Sequence, residues 1–391
     1  MNTPLRLAAI LTLTSLTTPF TSAATEKNTY SVAGWWDSEH EPFSPVIHED
    51  RSVTFRVRAP DAASVTLALG EWTVEKHELQ RGEDGVWSVT VDPLEPEIYG
   101  YNFIVDGLPV LDRTNPNVKA GTMVYSSLLE IPGEPPRFYE RQNVPQGVTH
   151  IHHFDSTAVG EMRSFYVHTP PGYDPDGKTR YPVLYLRHGG GDHAGSWSAE
   201  GRAGVILDNL IAKGEAEPMI IVMPYGLLDG SWASGSTQEG IDTLEHELFD
   251  DIAPIVQQAY RIEPGAQNTA IAGLSMGGGQ AFLMGLHYPE RFDWIGDFSS
   301  GLLSAVEFDV EDRVPGLLGR ADQVNRQFDL IYLACGSDDP RILGHREFAQ
   351  KLRDAGIEVT FHEMPGGHEW SVWRHELRNF LQRVFQPGDQ H

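Results

Sequence analysis

Hydrophobic and polar positions follow two different rhythms along the chain, and the change falls near residue 130. Between residues 52 and 130, short runs alternate apolar and polar positions, and turn pairs such as Asp106 and Gly107 separate them. Runs of this length and spacing predict strands packed face to face, with every second side chain in the core. We therefore expect a β-sandwich domain over residues 25–132.

The second rhythm begins after a segment rich in proline and polar residues, 133–148, which is typical of a linker. Beyond it, nearly continuous apolar runs such as 219–223 and 269–272 alternate with segments of helical period. Apolar runs of this kind predict a parallel sheet that is buried on both faces by helices. We expect an α/β domain over residues 149–387.

The first 24 residues have the pattern of a secretory signal peptide. Arg6 is the only charged residue before Glu26, an apolar stretch covers 7–16, and small side chains stand at Ser22 and Ala24. The apolar stretch is too short and too interrupted for a membrane anchor. The pattern predicts a secreted or periplasmic protein that does not insert into the membrane.

Composition and charge narrow the classes of partner. Hydrophobic residues make up 40% of the chain, enough for a sizeable core, and the formal net charge is −26. A protein with this negative charge repels nucleic acid and anionic lipid, so neither is an expected binding partner. Cys335 is the only cysteine, so no intrachain disulfide can form, and its apolar surroundings predict a buried thiol. The patterns leave the oligomeric state open.

A G-x-S-x-G sequence follows the predicted strand 269–272 and precedes a segment of helical period. Its fixed positions are Gly273, Ser275 and Gly277. Strand, tight turn and helix together form a nucleophile elbow, which presents a serine hydroxyl at the carboxyl edge of the sheet. The helix that follows adds positive potential where an oxyanion would form. We predict Ser275 as the nucleophile.

A serine hydroxyl needs a general base, and the base needs a carboxylate that orients it. The nucleophile elbow is typical of the α/β-hydrolase fold, in which the chain order of the triad is serine, acid and histidine. Asp338 and Asp339 follow a later apolar run, and His368 lies in a loop after the next one. Both positions are on the carboxyl edge of the predicted sheet. The order predicts His368 as the base and leaves the two aspartates as candidates for the acid.

An oxyanion hole requires two backbone N–H donors. One is expected from Met276, the residue after the nucleophile. The other is expected from Gly190, in the His-Gly-Gly-Gly sequence at 188–191 that follows an early strand. Glycines there let the backbone approach a substrate closely.

Three other histidines, His150, His152 and His153, lie close together before the run 163–169, which we expect to be the first strand of the α/β domain. No cysteine, and no histidine or glutamate at a metal-binding spacing, accompanies them, so structural or solvated roles are favoured over metal binding. No metal or organic cofactor is expected.

Four motifs in the second domain together resemble one group of enzymes, the esterase D group, and within it carbohydrate esterase family 1. The resemblance implies an α/β-hydrolase fold and a Ser-Asp-His triad, with Asp339 as the acid in a G-x-x-D sequence that begins at Gly336. It also implies a substrate in which an acyl group is esterified to plant cell-wall polysaccharide or oligosaccharide, with feruloyl esterase activity favoured. The motifs are HGGG at 188–191, GLSMGGGQ at 273–280, CGSDD at 335–339 and GGHEW at 366–370.

The first domain resembles carbohydrate-binding module family 48 and its early-set relatives. The resemblance implies that its β-sandwich is immunoglobulin-like. The resemblance lies in the run 53–60, in Val105-Asp106-Gly107, and in the aromatic positions Trp87, Tyr99 and Tyr101. Those three aromatics and Trp72 either form a platform on which sugars stack or belong to the sandwich core, and the core is the favoured interpretation.

Two tryptophans of the second domain, Trp197 and Trp232, lie in segments expected to line the cleft. Either one could stack on an aromatic acyl group or a sugar, or could belong to the core or its rim. Acetyl-xylan esterase, siderophore esterase and sugar acyltransferase activities remain alternatives to feruloyl esterase. A non-catalytic carbohydrate-binding protein on the same fold is the alternative from another class.

Overall fold

Residues 43–231, 234–303 and 308–386 are described by a computed structural model, in which a β-sandwich precedes an α/β domain. The fold class predicted from the sequence is confirmed. The predicted signal peptide and the first residues assigned to the sandwich lie outside the described residues. No helix within the described ranges has the length and apolar character needed to cross a membrane.

The sandwich consists of two sheets, ordered β1-β2-β6-β5 and β4-β3-β7-β10-β9, and β8 also pairs with β7. Its strands follow the predicted period of two. In β3, for example, Val65, Leu67 and Leu69 are buried in the core and the residues between them are half-buried. The strands are β1 (Val46–Ile47), β2 (Val53–Arg58), β3 (Val65–Leu69), β4 (Glu75–Glu78), β5 (Gln80–Arg81), β6 (Val86–Val91), β7 (Ile98–Val105), β8 (Leu108–Val110), β9 (Val118–Ala120) and β10 (Val124–Glu130).

The connection between the two domains has no helix or strand from residue 131 to 147, as its composition predicted. It is nevertheless packed in place. The Tyr139 side chain is 2% exposed and joins the core of the α/β domain, and its hydroxyl donates to the Pro96 carbonyl of the sandwich at 3.1 Å. The Asn209 side chain donates to the carbonyls of Phe138 and Glu140. The segment is therefore an ordered connection that packs against both domains, and not a flexible linker.

The α/β domain is built on an eight-stranded sheet with the order β11-β12-β14-β13-β15-β16-β17-β18. Pairing is parallel from β14 to β18, and β11 and β12 are antiparallel. β11 is an edge strand that the sequence pattern missed, because most of its residues are exposed, including Val148 and Ile151, and no alternation of apolar and polar positions marks it. The strands are β11 (Val148–Asp155), β12 (Met162–Thr169), β13 (Val183–Arg187), β14 (Ile220–Pro224), β15 (Thr269–Leu274), β16 (Trp294–Phe298), β17 (Leu330–Gly336) and β18 (Thr360–Met364).

Helices cover both faces of this sheet, which explains why its central strands are apolar throughout. In β15, Ile271 packs in the core beneath α4, α5 and α8, whereas Ala270 and Ala272 pack on the opposite side beneath α2 and α9. Cys335 of β17 is fully buried, as predicted, and burial raises the pKa of its thiol. The helices are α1 (Ser196–Ala199), α2 (Ala203–Lys213), α3 (Gln238–His246), α4 (Ala253–Ala259), α5 (Met276–His287), α6 (Val310–Arg313), α7 (Ala321–Gln327), α8 (Ile342–Asp354) and α9 (Trp370–Leu381), with a π-helical turn at Glu247–Ile252 and 3₁₀ turns at Ser234–Ser236, Ala266–Asn268 and Gly301–Leu303.

Candidate active site

Ser275 lies between β15 and α5 in a backbone conformation that a side chain rarely adopts, with φ 50° and ψ −117°. The turn is tight enough to exclude side chains on either side. A Cβ on Gly273 would collide with the Gly277 carbonyl, and one on Gly277 would collide with the His188 carbonyl. Strain of this kind persists only where the surrounding structure holds it. The local geometry is that of the predicted nucleophile elbow.

The predicted base lies beside this hydroxyl. His368 Nε2 is 3.0 Å from Ser275 Oγ, and His368 Nδ1 is 2.7 Å from Asp339 Oδ2. With Nδ1 donating its proton to the carboxylate, Nε2 is free to accept the serine proton. Asp338 makes no such contact; its backbone N–H donates to the Gly366 carbonyl at 2.9 Å. The geometry favours Asp339 over Asp338 as the orienting acid.

Asp339 is held as a carboxylate although its side chain is buried. Burial alone would raise its pKa, but the hydrogen bond and charge of His368, followed by the N–H and guanidinium of Arg341, lower the pKa to about 2. The Arg341 N–H donates to Oδ1 at 2.9 Å, and its guanidinium lies 3.6 Å from the same oxygen. One oxygen is thus fixed by Arg341, which leaves the other for His368.

A second histidine braces the loops around this acid. His345, on α8, donates from Nδ1 to the Arg341 carbonyl and accepts at Nε2 from the Ser300 N–H, at 2.9 and 2.8 Å. Because a backbone N–H donates to one ring nitrogen, the imidazole must be neutral there. Burial agrees with this assignment, since it lowers the pKa of His345 to about 4. The loop after β17, which carries Asp339, is therefore tied to the loop after β16.

The glycine-rich loop lies on the other side of Ser275. A Cβ placed on Gly189 would be 3.4 Å from the Ser275 Cβ, whereas Gly190 is half-buried and borders a cavity beyond it. His188 fixes the start of the loop by donating to the Gly189 carbonyl and accepting from the Gly226 N–H. Met276 is the first residue of α5, so its N–H has no acceptor within the helix. The loop and the helix start thus flank the serine.

The sandwich also contacts this site. Thr122, in the turn between β9 and β10, and Tyr125, the second residue of β10, both donate to the Gly191 carbonyl, at 2.8 Å from the Thr122 N–H and 3.1 Å from the Tyr125 hydroxyl. On the opposite side, Trp72 packs on Gly367, and its ring centroid lies 6.3 Å from that of His368. Trp373, on α9, packs edge-on against the same imidazole at 4.9 Å.

Trp197 does not line the cleft, and its predicted role in substrate binding is wrong. Its side chain is 0% exposed, its indole N–H donates to the Arg187 carbonyl at 2.9 Å, and it packs edge-on against Trp370. It belongs to the core on the side of the sheet that α2 and α9 cover, where it also packs against Phe298. The second predicted tryptophan, Trp232, lies outside the described residues.

The histidines at 150, 152 and 153 belong to the edge strand β11 and not to a segment before the first strand. His152 stacks on Phe165 and bonds the Tyr260 hydroxyl at 2.6 Å. Among the residues with described positions, no group of three or more histidine, cysteine or acidic side chains is arranged to hold a metal ion. The cluster has the packing of ordinary structural histidines.

Of the four sandwich aromatics considered for sugar stacking, Trp87 and Tyr101 are buried core residues, with the Tyr101 hydroxyl donating to Asp112 at 2.8 Å. Tyr99 is half-buried, and its hydroxyl donates to a backbone carbonyl. Trp72 alone among the four is exposed, at 46%. It faces the α/β domain, so the four residues do not form one platform.

Arg341 and His345 were not predicted from the sequence, which identified Trp72 only as a sandwich aromatic that could stack on sugars. Arg341 carries a signal in hindsight, because an Asp side chain commonly accepts from the backbone N–H two residues later. His345 carries none, and neither does the position of Trp72 beside His368, because each reaches the site across a packed interface and not along its own strand or loop.

Comparison with known proteins assigns a family to each of the two domains. The model of the "Putative esterase" family matches residues 156–384, and that of "Carbohydrate-binding module 48 (Isoamylase N-terminal domain)" matches residues 42–117. A curated relative from Xylanibacter ruminicola, "Endo-1,4-beta-xylanase/feruloyl esterase", is 32% identical over 348 residues, which cover 88% of this chain and 46% of that protein. The chain thus spans about half the length of that relative.

Solved structures of two kinds are similar to this chain. A ferulic acid esterase is 26% identical, with a TM-score of 0.53, and the match covers 62% of this chain and 99% of the other. The enterochelin esterase of Shigella flexneri has a TM-score of 0.64 at 20% identity and covers 91% of this chain and 98% of its own, which is a likeness of fold. The predicted resemblances of both domains are confirmed. The chain therefore belongs to the putative esterase family, as a carboxylic ester hydrolase related to feruloyl and enterobactin esterases, with a domain of carbohydrate-binding module family 48 ahead of its α/β domain.

Proposed function

We propose that this protein hydrolyses carboxylic esters with a Ser275-His368-Asp339 triad, and that its natural substrates are acyl groups, feruloyl above all, esterified to plant cell-wall polysaccharide or oligosaccharide. One observation carries the catalytic half of the proposal. The serine in the strained turn, the imidazole and the buried carboxylate form a continuous hydrogen-bonded chain with distances of 3.0 and 2.7 Å.

In the first half of the reaction, Ser275 Oγ attacks the ester carbonyl carbon while its proton moves to His368 Nε2. Asp339 stabilises the imidazolium that forms and holds the ring in the required tautomer. When the tetrahedral intermediate collapses, the C–O bond to the alcohol breaks, and the leaving oxygen takes the proton from Nε2. The product is an acyl-enzyme ester on Ser275 and a free alcohol.

Water completes the cycle by the same route. It gives a proton to His368 Nε2 as its oxygen attacks the acyl carbon, and the proton returns to Ser275 Oγ when the carboxylic acid leaves. The N–H groups of Met276 and of the glycine-rich loop, with Gly190 as the proposed donor, stabilise both oxyanions. Each such donor lowers the barrier by roughly 3 kcal/mol. No metal or organic cofactor takes part in these steps.

The substrate half of the proposal is supported by the relatives. The curated relative named for xylanase and feruloyl esterase activity matches across both domains, and a ferulic acid esterase matches the α/β domain. A carbohydrate-binding module 48 domain accords with a carbohydrate ester. With this substrate, and with a signal-peptide pattern in the first 24 residues, we propose a secreted or periplasmic enzyme.

The catalytic proposal is tested by comparing the wild type with Ser275→Ala on p-nitrophenyl acetate. We expect the rate to fall at least 10³-fold, because removing a triad nucleophile removes the acyl-enzyme route. Ser198→Ala is the control, since that half-buried hydroxyl contacts only the Met223 sulfur, at 3.6 Å. Equal rates for Ser275→Ala and the wild type would refute the mechanism.

The substrate proposal is tested on methyl ferulate, acetylated xylan and a catecholate triester siderophore side by side. We expect the highest kcat/KM on methyl ferulate. The siderophore is the second candidate because the enterochelin esterase shares the fold over both domains. A net charge of −26 opposes binding of an anionic ferric catecholate complex. A preference for the siderophore or for acetylated xylan would replace the feruloyl assignment.

A further inference from the structure

Trp72 of the sandwich is a large exposed apolar side chain beside the proposed general base. It lies in the loop between β3 and β4, where its indole packs against the backbone at Gly367, and its ring meets the His368 imidazole at an interplanar angle of 62°. Its exposed fraction, 46%, leaves part of the ring open to solvent. A tryptophan placed this way contributes little to the sandwich core, whose aromatics are buried elsewhere.

The chemistry of acyl transfer indicates which half of the ester would meet this ring. The oxyanion points toward the N–H groups of Met276 and the glycine-rich loop, whereas the leaving alcohol must take its proton from His368 Nε2. The alcohol therefore lies next to the imidazole, and the acyl chain lies away from it. A side chain that packs beside His368 is placed to contact the alcohol.

The surroundings on the sandwich side are polar. A cavity of about 280 Å³ lies between the sandwich and the glycine-rich loop, bordered by Glu71, Asn102, Lys119 and Gly190. Glu71, the residue before Trp72, pairs with Lys119 at 3.1 Å. Glu71 borders this cavity, whereas Trp72 is not among its lining residues. The exposed indole of Trp72 offers an apolar face of the kind on which the C–H face of a sugar ring stacks.

We propose that Trp72 binds a sugar ring of the alcohol half of the ester, so that the sandwich supplies part of the substrate site directly. This inference rests on the proposed function, because it uses the position of the leaving alcohol beside His368. It differs from a remote carbohydrate-binding surface, since the sugar it binds is the one from which the acyl group is removed.

The test compares Trp72→Ala and Trp72→Phe with the wild type on two esters of one acid, methyl ferulate and a feruloylated arabinoxylan oligosaccharide. We expect Trp72→Ala to lower kcat/KM at least tenfold on the oligosaccharide, mainly through KM, and no more than twofold on methyl ferulate. Trp72→Phe should retain much of the oligosaccharide activity because it keeps an aromatic face. Leu108→Ala, at another exposed apolar position of the sandwich, should change neither.

Three outcomes would overturn the inference. An equal loss of kcat on both esters, with a changed pH–rate profile, would make Trp72 a residue that positions His368. An unchanged kcat/KM of Trp72→Ala on both esters would show that Trp72 does not contact the substrate. A wild type that does not prefer the oligosaccharide over methyl ferulate would contradict the inference as well. If neither feruloyl ester is cleaved, methyl acetate and acetylated xylo-oligosaccharide serve as the pair. Failure of the proposed function is separately visible, because Ser275→Ala would then keep its activity whatever Trp72 does.

Discussion

The two sides of the site are built in different ways. On the α/β side, Ser275, Asp339 and His368 each follow a strand of one parallel sheet, so the regular spacing of the sheet brings their loops together. On the sandwich side, Trp72 and Tyr125 reach the site through contacts with Gly367 and Gly191, across an interface between two domains. The chemistry is thus placed by local motifs, whereas its surroundings depend on how the domains dock.

The largest effect expected on the α/β side comes from Asp339→Asn. An amide cannot hold His368 in the required tautomer or stabilise the imidazolium, so we expect kcat to fall roughly 10³- to 10⁴-fold. Steady-state hydrolysis of p-nitrophenyl acetate measures it. Asp338→Asn is the matched control and should stay within threefold of the wild type, because that side chain makes no contact with the imidazole. A larger loss for Asp338→Asn would reassign the acid.

The next largest effect should come from breaking the docking of the two domains. Arg374 of α9 is buried, ion-paired with Glu97 of the sandwich, and donates to the Glu200 carbonyl at 2.9 Å. Glu97→Gln leaves that guanidinium without its counter-charge, so we expect the free energy of unfolding to fall by about 3 kcal/mol. Urea denaturation measures the change.

Glu363→Gln is the control for this experiment, because its pair with Arg346 is solvent-exposed at 2.6 Å. Exposed pairs contribute about 0–1 kcal/mol, so the control should unfold almost as the wild type does. Equal losses in the two variants would show that the interface pair does not hold the sandwich in place.

A buried carboxyl beneath the elbow predicts a dependence of stability on pH. Asp297 of β16 is 1% exposed, and burial raises its pKa to about 8. Because the pKa of Asp297 is higher in the folded protein than in the unfolded chain, the unfolded chain loses this proton at a lower pH. The free energy of unfolding is therefore highest near pH 4 and below, and it falls as the pH rises toward 8.

Asp297→Asn removes the ionisable group and should flatten this slope. We expect the variant to equal the wild type in free energy of unfolding near pH 4 and to exceed it by at least about 1.4 kcal/mol at pH 8, since each unit by which burial raises the pKa corresponds to about 1.4 kcal/mol. Thermal unfolding across that pH range measures it, with the exposed Asp322→Asn as control. A constant difference between variant and wild type at all pH values would contradict the assigned pKa.

The smallest effect is expected from the sandwich contacts to the glycine-rich loop. Tyr125→Phe removes one of the donors to the Gly191 carbonyl but leaves that of Thr122, so we expect kcat to fall only about three- to fivefold, equivalent to roughly 1 kcal/mol. KM should change little. Tyr99→Phe removes a hydroxyl that bonds within the sandwich and should leave kcat unchanged. If both variants behave alike, the contact does not position the loop.

Much of the fold was predictable because the order of apolar and polar residues along each strand reflects its surroundings. The alternation along β3 and the continuous apolar run of β15 each reflect whether one or both faces of a strand are buried. The edge strand β11 was missed because six of its eight residues are exposed, so neither pattern is present. Tyr139 shows the same limit in the connection, where composition predicted a spacer and one buried ring holds it in place.

The tryptophans show why the rest of the site was not predictable. Trp197 lies in a segment next to the glycine-rich loop, and its chemistry is suited to stacking on a substrate, yet its side chain is completely buried against Phe298 and Trp370. Trp72 lies in a sandwich loop far away in the sequence and stays open beside His368. Residue type and neighbouring sequence do not predict whether such a side chain faces the core or the cleft.

The sequence alone determined the two domain types, the elbow at Ser275, the proposed order of nucleophile, acid and base, and the glycine-rich loop, because strand ends and tight turns constrain residues within a few positions of each other. Only the tertiary structure decided that Asp339 and not Asp338 faces His368, that Trp197 is core, and that the sandwich reaches the site. Those outcomes depend on packing between distant segments, where a small rotation of one loop selects which side chain points inward.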